Sequence, residues 1–155
     1  MFSSGTGNWS TPIDLFKDLD NKYKFTVDVC ADTSNYKVKR YYNEKQDGLS
    51  KSWQNEVVWC NPPYGREIKD WVRKAYDESS DNCTVVMLLP ARVDTKWFHE
   101  YIYRNKNAKI NFLKGRLKFS SSASSAPFPS CIVIFEKNEN KNLPGVPKGD
   151  IATFF

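Results

Sequence analysis

Val57-Val58-Trp59-Cys60-Asn61-Pro62-Pro63-Tyr64-Gly65 sets an apolar strand directly against a rigid polar corner. Two consecutive prolines cannot remain in a sheet ladder, so the strand must stop at Cys60 and the chain must turn. From Arg66 to Ser79 the period changes: Ile68, Trp71, Val72, Ala75 and Tyr76 fall on one helical stripe, expected to pack on the core. Thr84 to Leu89 is then a continuous apolar run, the pattern of a strand covered on both faces. Strand, corner, helix and buried strand make a βαβ unit, and the expected fold is α/β with a mostly parallel central sheet.

Working outward, the upstream segment opens with a helix start. Thr11 reads as the cap, Pro12 as the first helical residue and Asp14 as a capping-box-like partner. Ile13, Phe16, Leu19 and Tyr23 follow at helical spacing. Phe25 to Cys30 reads as a short strand, Asp32 to Asn35 as a polar turn, and Val38 to Tyr42 as a second strand beside the basic Lys37, Lys39 and Arg40. Downstream, a helix starting at Asp94 or Thr95 carries Trp97, Phe98, Tyr101 and Ile102. Two late strands, Ile110 to Leu113 and Cys131 to Phe135, are separated by a serine-rich loop, Ser120 to Ser130, too long for a tight hairpin. The expected organisation is one domain over residues 1–136. Residues 137–155 read as a polar tail whose apolar end, Ile151 to Phe155, can dock on that same domain.

At 155 residues, with 40% hydrophobic and 15% aromatic side chains, the chain can bury one modest core and is too apolar to be disordered. No apolar run reaches the ~18–20 residues of a membrane span. Met1 to Gly5 lacks a signal-peptide pattern, so a soluble cytoplasmic protein without membrane partners is expected. Cys30, Cys60, Cys83 and Cys131 are far apart and His99 is the single histidine, whereas metal ligands come at short spacing. The cysteines are therefore expected to be reduced core residues, with no metal bound, and His99 to be structural or at the surface. A formal net charge of +5 suits a polyanionic partner. No phosphate-binding loop ending in Gly-Lys-Ser/Thr is present, and no nucleophile–histidine arrangement is discernible, which argues against a hydrolase.

In an open α/β sheet, ligands bind beyond the carboxyl ends of the strands, where Asn61 to Tyr64 falls. An aromatic amine is a weak nucleophile because its lone pair is delocalised into the ring. Two acceptors, the Asn61 side-chain oxygen and the Pro62 carbonyl, can bind its two hydrogens, bias the nitrogen towards tetrahedral geometry and aim the lone pair. Pro62 and Pro63 hold that carbonyl out of the sheet. Tyr64 offers a flat face for an extruded base. Read alone, the same four residues also describe a rigid turn.

The ordered set of landmarks resembles the small phage and prophage DNA N-6-adenine methyltransferases. It runs from Trp9-Ser10-Thr11-Pro12 through Phe25 to Asp32, Asp47-Gly48-Leu49 with Trp53, and Val58 to Gly65, to Gly115 to Phe119 and Ala126 to Ser130. The resemblance implies a single Rossmann-like domain dependent on S-adenosylmethionine, working on DNA in a bacterial host cell. It further implies that Asn61, Pro62, Pro63 and Tyr64 hold and activate the target amino group. Asp28, Cys30 and Ala31 would line the cofactor site with Asn61, the Asp28 carboxylate facing the amino group of the methionine moiety. Trp9, Thr11 and Pro12 would close over that moiety, and Asp47 would contact the adenosine half. One departure stands out: Val29-Cys30-Ala31-Asp32 occupies the place of the glycine-rich cofactor loop of larger methyltransferases.

Two other functions remain open on the sequence. Asn-Pro-Pro-Tyr also resembles methyltransferases of RNA or of protein glutamine, and a basic, aromatic surface also suits a non-catalytic DNA-binding protein. Arg66, Arg92, Arg116 and Lys118 are candidates for DNA phosphate contacts, although each also reads as a solvated surface charge. Neither the oligomeric state nor the DNA sequence recognised can be read from the chain.

Overall fold

Alternate residues of the central strand serve opposite faces of one sheet. The computed structural model describes residues 9–120 and 124–137. Its strands are β1 (Val27–Asp28), β2 (Val57–Cys60), β3 (Thr84–Pro90), β4 (Ala108–Phe112) and β5 (Ser130–Phe135), in spatial order β1-β2-β3-β5-β4. β1, β2 and β3 are mutually parallel, and β5 runs antiparallel to both β3 and β4. The sheet is thus mixed, with one reversed strand inserted among four that point the same way.

Val85, Met87 and Leu89 of β3 face one core, with Val133 and Phe135 of β5; Val86 and Leu88 face the other, with Ile132 and Ile134. The first face is covered by α2 (Ile68–Glu78), through Ile68, Trp71, Val72 and Ala75, and by a π-helical segment, Phe98–Tyr103, through Phe98 and Ile102. The second is covered by α1 (Ile13–Tyr23), through Phe16 and Leu19. All but the first residue of β3 is buried, as a strand covered on both sides requires. Burying each large apolar side chain contributes about 1.5–3 kcal/mol, which is why these stripes fix the layers. Tyr76, assigned to the core stripe, lies instead at its rim, 36% exposed, against the Tyr101 ring.

Three local expectations need correction. Thr11 does not cap α1: Pro12 occupies the cap position without a side-chain bond, because the Thr11 hydroxyl is buried and engaged by Asn61. Val38 to Tyr42 is not a full strand but makes a single parallel bridge, Asp28 with Tyr41. The Arg40 carbonyl accepts from the Asp28 N–H and the Tyr42 N–H donates to the Asp28 carbonyl, so the segment only skirts the β1 edge. Finally, Phe25 to Cys30 contributes only two residues to the ladder: at its start the Phe25 N–H goes to the Asp20 carboxylate, and at its end the Cys30 N–H goes to the Asp28 carboxylate.

The four cysteines are buried and unbridged. No helix among the described residues is long and apolar enough to cross a membrane. The serine-rich loop is described except for residues 121–123, and the tail beyond 137 lies outside the described residues.

Candidate active site

β1, β2 and β3 end on one edge of the sheet, and β5 begins there, because Pro90 pairs with Ser130 and Leu113 donates to the Ser130 carbonyl. The segments after β1, β2, β3 and β4 therefore all meet at this edge. The polar corner after β2 is fixed from both sides. Pro62 and Pro63 are buried, and Gly65, at φ +124°, turns the chain towards α2.

Asn61 is held by the strap that precedes α1. Its side-chain nitrogen donates to the Trp9 carbonyl and, at 3.0 Å, to the Thr11 hydroxyl oxygen. A carbonyl can only accept, so the amide nitrogen must face Trp9 and the oxygen must face away. That oxygen, Oδ1, is buried and has no hydrogen-bond partner. A buried acceptor left unpaired costs about 1–3 kcal/mol, and such atoms are rare enough in folded proteins to require a reason.

Tyr64 donates from its hydroxyl to the Leu88 carbonyl at 3.1 Å, and burial pushes its phenol well above the ordinary range. The phenol is thereby fixed as a neutral anchor. The ring packs edge-on against Phe128 and Phe119, at centroid distances of 5.5 and 6.4 Å. The Trp9 ring completes the cluster at 5.3 Å from Phe119 and 5.4 Å from Phe128. Phe119 and Phe128 come from the two landmarks Gly115 to Phe119 and Ala126 to Ser130. Sequence reasoning drew only Arg116 and Lys118 from them and missed that their aromatic residues, spaced like ordinary core positions, support the corner.

Beside Asn61 lies a narrow polar pocket lined by Trp9, Ser10, Thr11, Asp28, Cys30, Asn35, Lys37, Trp59 and Asn61. It gathers five of the residues expected at the cofactor. Asp28 is 2% exposed, and its carboxylate accepts from the Lys37 N–H at 3.0 Å and the Cys30 N–H at 3.3 Å. Burial pushes its carboxyl up to about 7, against the opposing pull of those two N–H groups. Ser10, Asn35, Lys37 and Trp59 were not anticipated. Asn35 and Lys37 arrive through a turn in which the Asp32 carboxylate accepts from the Ser34 and Asn35 N–H groups and the Asn35 side-chain oxygen accepts from the Asp32 N–H. The signal was present in the Asp-Thr-Ser-Asn spacing, which favours such a compact turn.

Other expected residues stand apart from this pocket. Ala31 is buried and donates its N–H to the Tyr42 carbonyl. Pro12 begins α1. Asp47 is exposed, and its carboxylate accepts from the Leu49 N–H to cap the short 3₁₀ turn Gly48–Ser50. The close backbone approach that a glycine loop normally permits occurs here at Gly48, where an added Cβ would lie 2.0 Å from the Val29 carbonyl oxygen. The Trp53 indole donates to the Gly48 carbonyl at 2.9 Å and is fully buried, which ties these two landmarks to each other.

Arg66, Arg92, Arg116 and Lys118 are all exposed on segments that leave this edge. Arg66 directly follows the corner in the chain, and the Arg92 guanidinium lies 5.9 Å from the centroid of the Phe128 ring that packs on Tyr64. Arg66, Arg116 and Lys118 are not drawn into the aromatic cluster. His99 is exposed, with its ring 5.7 Å from that of Tyr103.

Comparison with known proteins finds two phage relatives and one family. A protein of Haemophilus phage HP1 (strain HP1c1), called DNA N-6-adenine-methyltransferase, is 29% identical over 154 residues, 95% of this chain and 84% of its own length. One of Escherichia phage T1, bearing the same name, is 29% identical over 145 residues, 92% of this chain and 60% of its own length. The model of the DNA N-6-adenine-methyltransferase (Dam) family matches residues 3–153, almost the whole sequence, and the chain belongs to that family.

Proposed function

We propose that this chain transfers a methyl group from S-adenosylmethionine to N6 of an adenine flipped out of DNA. The observation that carries the reading is the unpaired, buried Oδ1 of Asn61, an acceptor with its orientation already set and no donor of its own. The family match supports adenine in DNA as the substrate and a methyl donor as the co-substrate.

The residues of the polar pocket fit the donor's amino-acid end. A carboxylate as buried as Asp28, pushed up to about 7, is better stabilised by a cation against it, and an α-ammonium supplies one. Asp28 would hold that ammonium, with Trp9, Thr11 and Cys30 as walls, Pro12 and Ala31 flanking them and Asp47 towards the adenosine half. When bound, the donor supplies a sulfonium methyl as the electrophile for in-line transfer.

The chain's own work is positioning. Asn61 Oδ1 and the Pro62 carbonyl accept the two hydrogens of the adenine amino group, and Pro63 keeps the corner rigid. Tyr64 gives the base a stacking surface, anchored through Leu88. The nitrogen gains the methyl and loses one hydrogen as a proton to water, so no side chain is assigned as base. Arg66, Arg92, Arg116 and Lys118 contact phosphates around the extruded nucleotide.

The parallel β1-β2-β3 core, with ligand residues at its carboxyl edge, supports a Rossmann-like domain over residues 1–136, with 137–155 as an appended tail. The enzyme is phage- or prophage-encoded and acts in the bacterial cytoplasm. The test is to incubate the protein with S-adenosylmethionine and unmethylated DNA, and to analyse digested nucleosides by mass spectrometry. N6-methyldeoxyadenosine with the wild type but not with Asn61→Ala is expected. Methylation of RNA or of glutamine in its place would overturn the substrate assignment.

A further inference from the structure

The Asn61 amide is useful as an acceptor only if its oxygen cannot exchange places with its nitrogen. Rotation by half a turn about the terminal bond presents N–H groups where the oxygen was, and a donor–donor clash then replaces the required contact. The Trp9 carbonyl, which can only accept, forbids this, and the Thr11 hydroxyl oxygen, at 3.0 Å, takes the second amide hydrogen and holds the group in that setting; both belong to the strap before α1. Thr11 is 2% exposed, so water does not stand in for its hydroxyl.

The strap is itself tied down from the far side of the edge. Ser120 donates twice to it, from its backbone N–H to the Ser10 carbonyl and from its hydroxyl to the Thr11 carbonyl, both at 3.1 Å. Thr11 therefore sits between Ser120, at the end of the described part of the segment after β4, and Asn61, at the corner after β2.

We propose that Thr11 is a positioning residue for Asn61: with the Trp9 carbonyl setting which way the amide faces, the Thr11 hydroxyl oxygen takes its second hydrogen and fixes the angle at which Oδ1 meets the target, and Ser120 holds Thr11 in place. This role differs from a wall of the cofactor pocket, because it acts through Asn61 and so on the methyl-transfer step. The inference rests on the proposed reading of Asn61, but the geometric lock can be measured without turnover.

Two variants separate the roles. Thr11→Val keeps the shape and removes the acceptor; Thr11→Ser keeps the acceptor. Thr11→Val is expected to lower kcat about tenfold or more, the equivalent of one lost buried hydrogen bond, with KM for DNA and Kd for S-adenosylmethionine within about threefold of wild type. Thr11→Ser is expected to recover most of that loss. Independently, the Asn61 side-chain NH₂ hydrogens in ¹⁵N-labelled, ligand-free protein should exchange slowly in wild type and Thr11→Ser, and faster in Thr11→Val. A Thr11→Val protein with unchanged kcat and unchanged exchange overturns the proposal, as does a loss confined to cofactor Kd or an equal loss in Thr11→Ser. If the wild type methylates no DNA yet shows the exchange pattern, the lock stands and the reaction assigned to the site fails.

Discussion

Gly48 lies so close to Val29, the residue that follows β1, that a Cβ would stand 2.0 Å from the Val29 carbonyl oxygen. The atom in the way is backbone, and the adjoining Val29 N–H is already committed to the Trp59 carbonyl, so it cannot retreat cheaply. Gly48→Ala is therefore expected to destabilise the fold by about 1–3 kcal/mol or more through overpacking. Urea unfolding measures this; a midpoint equal to wild type would show that the 3₁₀ turn shifts freely.

Asp28 gives the site a pH dependence with a definite sign. Its carboxyl rises from an ordinary 3.8 to about 7 in the fold, chiefly through burial. The folded chain holds this proton more tightly than the unfolded chain, so the stabilisation is complete below about pH 4 and is lost as pH rises through about 7. Thermal midpoints of ligand-free wild type should fall across that window relative to those of Asp28→Asn. Binding of the cationic cofactor just below pH 7 should release a proton, seen by calorimetry in buffers of differing ionisation heat. Binding without proton release removes the ammonium from Asp28.

Tyr64 can be split into its anchor and its face. Tyr64→Phe loses only the bond to the Leu88 carbonyl, and is expected to cost about 1 kcal/mol of stability while turnover stays within a few fold. Tyr64→Ala also loses the stacking surface, and should weaken productive DNA binding about tenfold or more with cofactor affinity little changed. Equal DNA affinity and rate in Tyr64→Ala would remove the stacking role.

Phosphate contacts are read from salt dependence. For duplex DNA each lost contact lowers the slope of log affinity against log salt by about 0.9. Arg92→Ala, which also strips the cation from the Phe128 face, is expected to do this and to weaken binding uniformly across DNA sequences. The same measurement on Arg66→Ala, Arg116→Ala and Lys118→Ala decides each in turn; an unchanged slope marks a solvated surface charge.

The layers and the corner were legible because their signals are local. Val57 to Cys60, the two prolines and the stripe of α2 sit within about two dozen residues, and binary patterning decides them. Thr84 to Leu89 declared its double burial by having no polar face. Thr11 misled for the opposite reason: its place before Pro12 is that of a cap, whereas its hydroxyl is claimed by Asn61, a tertiary partner that no helix rule anticipates. Lys37 and Asn35 reach the pocket only because the Asp32 turn doubles the chain back under Asp28. The aromatic support from Phe119 and Phe128 depends on the reversed strand, whose position in the sheet periodicity cannot give.

That reversed strand shapes how such a protein can change. Because β4 runs towards the working edge and β5 leaves from it, the chain between them starts and finishes among the site residues. A longer or shorter segment after Ser120 and before Ala126, whose N–H donates to the Leu117 carbonyl, leaves the sheet pairings, the Phe119 packing and the Ser120 bonds as they are. The stem is fixed and the tip is exchangeable. Grafting a different tip between Ser120 and Ala126, with Phe119 and Ser120 kept, is thus a route to altered target preference that leaves the supports of Tyr64 and Asn61 in place.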